Sequence, residues 1–449
     1  MSFENLGLSS SLLKAIEEQG YDKPSPIQEQ VIPVVLQGKD VLASAQTGTG
    51  KTAGFTLPIL EQFTENPHHN LKKRNIRALI LTPTRELAAQ IQENVINYSK
   101  HVDVRSTVIF GGVKQAAQVR ALQKGVDILV ATPGRLLDLH NQGEVKLNKI
   151  EVLVLDEADR MLDMGFHRDI QRIMNLIPSS RQTLLFSATF STEIRRLASK
   201  FLTDPVTVEV AATNTTAERV NQSFYKVDKT SKAMAVIHLL EKWDEEQVLI
   251  FCRTKHGASR LSKRLEKKGI SSAAIHGDKS QQQRIRALEG FKKGAIRVLV
   301  ATDIAARGLD IPLLPYVINY EMPNVPADYV HRIGRTGRAG ASGDAHSLVG
   351  QDETEYMLAI GKLLKKAIKA KVLEGFEPSD NPPKIPQHNK PSSNKPTRKP
   401  NGGGGFKKKR PAAGSGNSEQ GGNRNARSGR PNTGEGKAKL SNNRRSNRR

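Results

Sequence analysis

Short, nearly continuous apolar runs recur along this chain, with room for one helix between successive runs. Val41-Leu42-Ala43, Ala78-Leu79-Ile80-Leu81, Val108-Ile109-Phe110, Ile128-Leu129-Val130, Val152-Leu153-Val154-Leu155 and Thr183-Leu184-Leu185-Phe186 all have the length of a strand. A strand that is apolar on both sides of its pleat has to be covered on both faces, which is the condition of a parallel sheet between two layers of helix. Longer amphipathic stretches, such as residues 86–100, lie between the runs, so the pattern reads βαβα.

The rhythm pauses once, across residues 204–221, where Ala211-Ala212-Thr213-Asn214-Thr215-Thr216 carries no periodicity. It resumes with Val248-Leu249-Ile250-Phe251, Ala273-Ala274-Ile275, Val298-Leu299-Val300 and Val317-Ile318-Asn319-Tyr320. The pattern therefore predicts two α/β domains, residues 1–209 and 221–375, joined by a linker at 210–220. The plan repeats; the letters do not.

Composition changes sharply near Phe376. Residues 376–449 hold 18 Lys and Arg against 4 Asp and Glu, a net +14 of the +24 carried by all 449 residues. So polar a segment buries too little apolar surface to offset the entropy of ordering, and the expectation is a disordered tail. Its clusters, Lys407-Lys408-Lys409-Arg410, Arg444-Arg445 and Arg448-Arg449, are not interleaved with aromatics, which favours phosphate attraction over base stacking. A nucleic-acid tether is preferred to a merely solubilising tail. A membrane role is disfavoured, because the tail has no amphipathic helix or apolar anchor. No window reaches the ~18 apolar residues of a spanning helix. Met1-Ser2-Phe3-Glu4 has neither the basic nor the apolar region of a signal peptide. The lone Cys252 permits no internal disulfide and no cysteine-built zinc site, fits a reducing cytoplasmic home, and is expected to be a core thiol.

Three constellations carry chemistry. Ala45-Gln46-Thr47-Gly48-Thr49-Gly50-Lys51-Thr52 follows the first strand and opens a helix. Glycines there let backbone amides turn onto phosphate oxygens, Lys51 reaches the β- and γ-phosphates, and the Thr52 hydroxyl can hold Mg²⁺. The general phosphate-loop pattern has Gly where this chain has Ala45. Asp156-Glu157-Ala158-Asp159 ends a buried strand, where Asp156 can share the Mg²⁺ and Glu157 can orient or deprotonate a water. Asp159 is expected to link motifs rather than bind metal. His331-Arg332-Ile333-Gly334-Arg335-Thr336-Gly337-Arg338 lies beyond the linker, and Arg335 and Arg338 would stabilise the γ-phosphate if the domains close. His331 is read as a motif-bridging ring.

Together these residues resemble the DEAD-box RNA helicases over about residues 3–373, most closely the bacterial RhlE type, and Ala45 matches that family's usual loop. The resemblance implies two RecA-like parallel-sheet domains and an RNA-stimulated ATPase using ATP and Mg²⁺. It makes residues 20–28 a Q motif, with Tyr21 stacking on adenine, Gln28 bonding its edge and Phe3 in support. It assigns RNA-backbone contacts to Pro83, Thr84, Arg85, Gly111, Gly112, Thr132, Pro133, Gly134 and Arg135. Second-domain counterparts are Arg253, Gly277, Gln281, Arg284 and Thr302. Ser187 and Thr189 resemble coupling residues, and Gly308 and Asp310 lie near the ribose. The implied activity is local separation of short RNA duplexes or remodelling of ribonucleoprotein, with ribosomal or RNA-decay complexes as candidate partners. A DNA translocase and an ATP-gated RNA clamp or scaffold are the competing readings. Backbone contacts carry no sequence code, so little base preference is expected. Deleting residues 376–449 is expected to weaken RNA affinity and flatten its salt dependence while leaving the ATPase core folded; equal affinity and salt slope in both forms would remove the tail from RNA binding.

Overall fold

The computed structural model describes residues 2–45, 49–67, 74–210, 220–243, 245–306, 311, 314–337 and 343–379. Gln46, Thr47, Gly48, Gly308, Asp310 and Arg338 lie outside the described residues, as do 211–219 of the expected linker and the tail from 380.

Fourteen described strands form two sheets, and every recorded pairing is parallel. The first contains β1 (Val41–Ser44), β2 (Ala78–Leu81), β3 (Ser106–Ile109), β4 (Ile128–Ala131), β5 (Val152–Leu155), β6 (Gln182–Ser187) and β7 (Val206–Glu209). The second contains β8 (Val220–Lys226), β9 (Val248–Cys252), β10 (Ser272–Ile275), β11 (Val298–Thr302), β12 (Tyr316–Asn319), β13 (Gly343–Val349) and β14 (Lys371–Val372). The first sheet runs β3-β4-β2-β5-β6-β1-β7 and the second β10-β11-β9-β12-β13-β8-β14. Counted from each sheet's own first strand, the two orders are the same. The fold is two RecA-like α/β lobes.

The apolar runs became strands because both of their faces are covered. β1, β2, β4, β5, β6 and β9 are buried at every residue. One core of the first lobe packs Leu12, Ile32, Phe55, Ile80, Val154 and Phe186 on one side of the sheet; a second packs Leu79, Leu81, Leu129, Leu153, Leu155 and Leu185 on the other. Phe55 and Phe186 meet with centroids 5.2 Å apart, tying the helix after β1 to β6.

Several strands escaped the sequence pattern. β7 alternates exposed and covered residues at an edge, and β8 begins at Val220, inside the expected linker. β13 reads Gly-Asp-Ala-His-Ser-Leu-Val, too polar for an apolar run, yet sits between β12 and β8. Its buried Ser347 hydroxyl accepts a hydrogen bond from Asn319 Nδ2 at 3.1 Å. The packed chain also continues beyond the composition break. Phe376 meets His238 at 5.5 Å, and Ser379 N donates to Asp228 Oδ2 at 3.0 Å. No helix among the described residues is long and apolar enough to cross a membrane.

An aromatic cluster in the second lobe gathers Trp243, Tyr316, His346 and Tyr225. Trp243 stacks on Tyr316 at 4.1 Å, and His346 lies 4.7 Å from Trp243. Tyr225 Oη is 3.3 Å from His346 Nδ1. Burial pushes the His346 pKa down to about 4 against a weaker opposing pull from Asp344. The unfolded imidazole titrates near 6.5, so between those values the unfolded chain binds more protons. His346 therefore costs stability as pH falls from ~6.5 towards ~4. In chemical denaturation at pH 7 and 4.5, His346→Phe is expected to lose about 1–3 kcal/mol less than the parent on acidification; equal losses would mean that the ring is not held neutral.

Candidate nucleotide and RNA site

Because all strands run the same way, the loops that follow them emerge at one edge of each sheet. The strand order then sorts the motifs. β5, β6 and β1 are consecutive neighbours, and their carboxyl ends carry Asp156-Glu157, Ser187-Ala188-Thr189 and the phosphate loop. β3, β4 and β2 form the other half of the sheet and carry Gly111-Gly112, Thr132–Arg135 and Pro83–Arg85. The second sheet repeats the division, with Gly277 and Arg253 following β10 and β9 and Thr302 ending β11.

The helix Lys51–Glu65 begins directly at Lys51, with Gly50 as its cap at φ +89°. A Cβ at Gly50 would lie 2.4 Å from Gln28 Nε2, so only glycine fits both the turn and the approach. Gln28 is buried; it is not the exposed helix residue that a lone Gln suggests. Its Oε1 accepts from Ser25 N at 2.8 Å, and its Nε2 donates to Gly50 O at 3.1 Å. Each amide atom retains one further hydrogen-bonding position. Tyr21 is 42% exposed, with its hydroxyl 3.3 Å from that of Tyr98, while Phe3 is buried in the core. Lys51 Nζ donates to Ala45 O at 2.8 Å, across the loop it closes. Thr49, Gly50 and Thr52 are all partly exposed.

The acidic motif is buried and strained. Asp156 is 2% exposed and accepts from Glu157 N at 3.0 Å. Burial raises its pKa to about 6, the positive charge of Lys51 opposing and the carboxylate of Glu157 adding. Glu157 has φ +52°, an unusual conformation for a residue with a side chain, at the junction of β5 and the helix Ala158–Asp163. Its Oε2 is buried without a hydrogen-bond partner. Asp159 Oδ2 accepts from Ala188 N at 3.2 Å, Ser187 Oγ donates to Thr189 O at 2.8 Å, and Ala45 N donates to Ser187 O at 3.1 Å. The three nucleotide-side motifs are thus bonded into one edge.

On the other half, Thr84 caps the helix Arg85–Tyr98 through Leu87 N at 3.3 Å. A Cβ at Gly112 would overlap Arg85 Nη1 at 1.9 Å, so this glycine makes room for the guanidinium. Thr132 and Pro133 open the helix Pro133–Asn141, leaving Gly134 exposed. Arg135 donates to Gln118 Oε1 and Val113 O, both at 3.1 Å. Gly277 is exposed and Thr302 partly so. Gln281 and Arg284 are engaged elsewhere: Gln281 Nε2 donates to Glu86 Oε1 and Arg284 Nη2 pairs with Glu86 Oε2, each at 2.9 Å, across to the first lobe.

A second contact crosses between the lobes. Arg160, directly after the acidic motif, donates through Nη1 to Asp328 Oδ1 at 3.0 Å. Asp328 shares a small cleft with Asp303, His331, Arg332 and the buried Arg335. Arg332 is bound inside its own lobe, with Nε and Nη2 on Asp303 at 2.6 and 2.7 Å and Nη1 on Glu321 O at 2.7 Å. Cys252 is fully buried, and burial pushes its thiol pKa up. Sequence reading missed Arg160 and Asp328 and gave Glu86 no contact to the second lobe; no local pattern marks a residue whose partner lies 168 or 195 positions away.

Comparison with known proteins agrees with this geometry. The DEAD/DEAH box helicase profile matches residues 25–197, and the helicase conserved C-terminal domain profile matches 229–340. ATP-dependent RNA helicase CshA of Limosilactobacillus reuteri is 48% identical over 366 residues, covering 81% of this chain and 72% of that protein. DEAD-box ATP-dependent RNA helicase CshA of Bacillus subtilis is 43% identical over 366 residues, covering 82% and 73%. S. cerevisiae Dbp5 bound to RNA and ADP BeF3 shares the fold with a TM-score of 0.72 at 34% identity, covering 83% of this chain and 95% of that one. Likeness over four-fifths of the chain, with the matched motifs gathered at one edge of each sheet, places this chain in the DEAD-box family of ATP-dependent RNA helicases.

Proposed function

We propose that ATP is bound and cleaved at the β5-β6-β1 edge while the β3-β4-β2 edge and its second-lobe counterpart grip an RNA backbone. The observation that carries this reading is the separation of the two motif sets onto the two halves of one sheet, combined with Arg160–Asp328 and Glu86–Arg284 across the lobes. An RNA held by both lobes then depends on the same apposition as the nucleotide site.

In this reading Lys51 leaves Ala45 O to meet the β- and γ-phosphates, and Gly50 directs backbone amides onto them. Gln28 and Tyr21 recognise adenine, with Phe3 fixing the segment that presents them. Asp156 and Thr52 would hold Mg²⁺, and the buried carboxylate beside Lys51 fits that task, because a cation offsets the desolvation that raises its pKa. The metal would neutralise charge on the triphosphate. Glu157 Oε2, buried and without a partner, orients the attacking water and accepts its proton. Arg335, in the cleft beside Asp328, stabilises charge on the terminal phosphate; the same role is proposed for Arg338, and a ribose contact for Gly308 and Asp310. Asp159, Ser187, Thr189 and His331 transmit the state of the nucleotide edge.

Thr84, Arg85, Thr132, Gly134, Arg135, Arg253, Gly277 and Thr302, with amides of the glycine loops, contact phosphates. Gln281 and Arg284 join them through donors that Glu86 leaves available. The domain boundary is placed at 210–220, and the tail is proposed as an RNA tether. The curated relatives carry the CshA name, which supports a CshA-like rather than an RhlE-type placement. A cytoplasmic home and ribosomal or RNA-decay partners rest on the family resemblance alone. Duplex separation is favoured over a passive clamp because the two lobes meet at both halves of the edge, so closure can bend one strand away from its complement.

Steady-state ATP turnover with and without single-stranded RNA tests the reading, with RNA expected to stimulate. Lys51→Ala and Glu157→Gln are each expected to lower turnover by about 100-fold or more, Glu157→Gln with ATP-analogue affinity retained. An active Glu157→Gln enzyme, or an ATPase indifferent to RNA at low salt, would contradict it.

A further inference from the structure

The second lobe contains a buried charge cluster that neither the nucleotide chemistry nor the sheet explains. Glu353 ends the single turn Gln351–Glu353 after β13 and is 2% exposed. Both of its carboxylate oxygens are saturated. Oε2 accepts from Gly350 N at 3.0 Å and from Lys232 Nζ. Oε1 accepts from Met322 N at 3.1 Å and from Arg253 Nη2. Lys232 is equally buried and directs its remaining donors at Tyr320 O, 3.0 Å away, and Leu348 O, 2.7 Å away. All three ammonium protons are therefore placed.

Lys232 and Glu353 alone would make a closed, neutral pair. Arg253 opens the cluster outwards. Its side chain is 26% exposed at the carboxyl end of β9. Nη1 lies 3.4 Å from Asn324 Oδ1, the guanidinium sits 5.3 Å from the Tyr356 ring centroid, and the backbone N donates to Glu321 Oε2 at 2.7 Å. Nε is buried without an acceptor. A guanidinium fixed on three sides has already lost most of its rotamer freedom, while the second protons of Nη1 and Nη2 remain for an incoming anion. Burying a carboxylate costs several kcal/mol, and a hydrophobic group of similar volume often serves stability as well or better. A carboxylate placed here to hold an arginine at the lobe's RNA-side edge is better explained by geometry than by stability.

We propose that Glu353 is a positioning residue for RNA binding: anchored by Lys232, it fixes the Arg253 guanidinium where its remaining donors meet a phosphate of the bound strand. The inference rests on the proposed RNA contact of Arg253. Lys232 contributes only through Glu353.

A double-mutant cycle tests it, read as the RNA concentration giving half-maximal ATPase stimulation. Arg253→Ala is expected to raise that concentration about tenfold, the scale of one charge-assisted hydrogen bond. Glu353→Gln is expected to approach the same rise, with turnover at saturating RNA and KM for ATP changed by less than about twofold. The double variant is expected to be no worse than Arg253→Ala, because both remove one contact. Should Glu353→Gln fail to fold, Glu353→Asp keeps the charge for Lys232 but is one methylene shorter, and is expected to show the same selective rise. Multiplying effects in the cycle, or unchanged RNA dependence in a folded Glu353 variant, would overturn the positioning role. An Arg253→Ala enzyme with parental RNA dependence would overturn the Arg253 contact itself, and this inference with it.

Discussion

Parallel pairing is the constraint on which the rest of the structure depends. With every recorded strand pair parallel, each strand-to-helix loop emerges at the same edge, so chemistry scattered over three hundred residues is collected on two lines. The order β3-β4-β2-β5-β6-β1-β7 then divides the first line into a phosphate-loop half and a polar-loop half, and the second sheet repeats that division. Neighbouring strands bring some motifs into direct contact, as Asp159 with Ala188 N and Ala45 N with Ser187 O show, while Arg85 reaches past β4 to Gly112 and Arg332 past β9 to Asp303.

Between the lobes, two carboxylates carry the apposition. Asp328 meets Arg160 beside the acidic motif, and Glu86 meets both Gln281 and Arg284 beside the polar-loop half. Each contact joins residues next to a functional loop in one lobe to residues next to a functional loop in the other. The side chains of Arg284 and Glu86 are nearly buried, as is that of Arg160, so losing one partner would strand a charge. Lobe apposition is thereby tied to the state of both edges. The nucleotide edge is itself under tension: Asp156 is held in a burial that disfavours its charge, and Glu157 in a backbone conformation that disfavours its side chain.

Much of this was legible in the sequence, for physical reasons that also mark where legibility ends. Strands covered on both faces announce themselves as apolar runs, so β1, β2, β4, β5, β6 and β9 were visible. β7 was hidden because alternation at an edge does not make an apolar run, and β8 because its polar Asn221, Gln222 and Ser223 interrupt one, although it lies between β13 and β14. β13 was hidden because Ser347 and His346 are polar residues whose partners, among them Asn319 and Tyr225, are distant in sequence. The glycine-rich loop and the Asp156–Asp159 run could be picked out because each is contiguous in the sequence. Arg332 was given no role of its own beside Arg335 and Arg338, since Asp303, which binds it, lies in another loop. Gln28 could be tied to adenine only through the family resemblance, because Gly50, which holds its amide, lies 22 positions away. Glu353 and Lys232 carried no signal at all, because their meaning comes from a pairing over 121 positions.

The central claim is that nucleotide and RNA share one apposition of the lobes, which makes their binding energies mutually dependent. The affinity for a non-hydrolysable ATP analogue, measured with and without saturating single-stranded RNA, and the affinity for RNA, measured with and without the analogue, test it most directly. The account predicts that each ligand tightens the other by the same factor, about tenfold or more. Two affinities that ignore each other would contradict it.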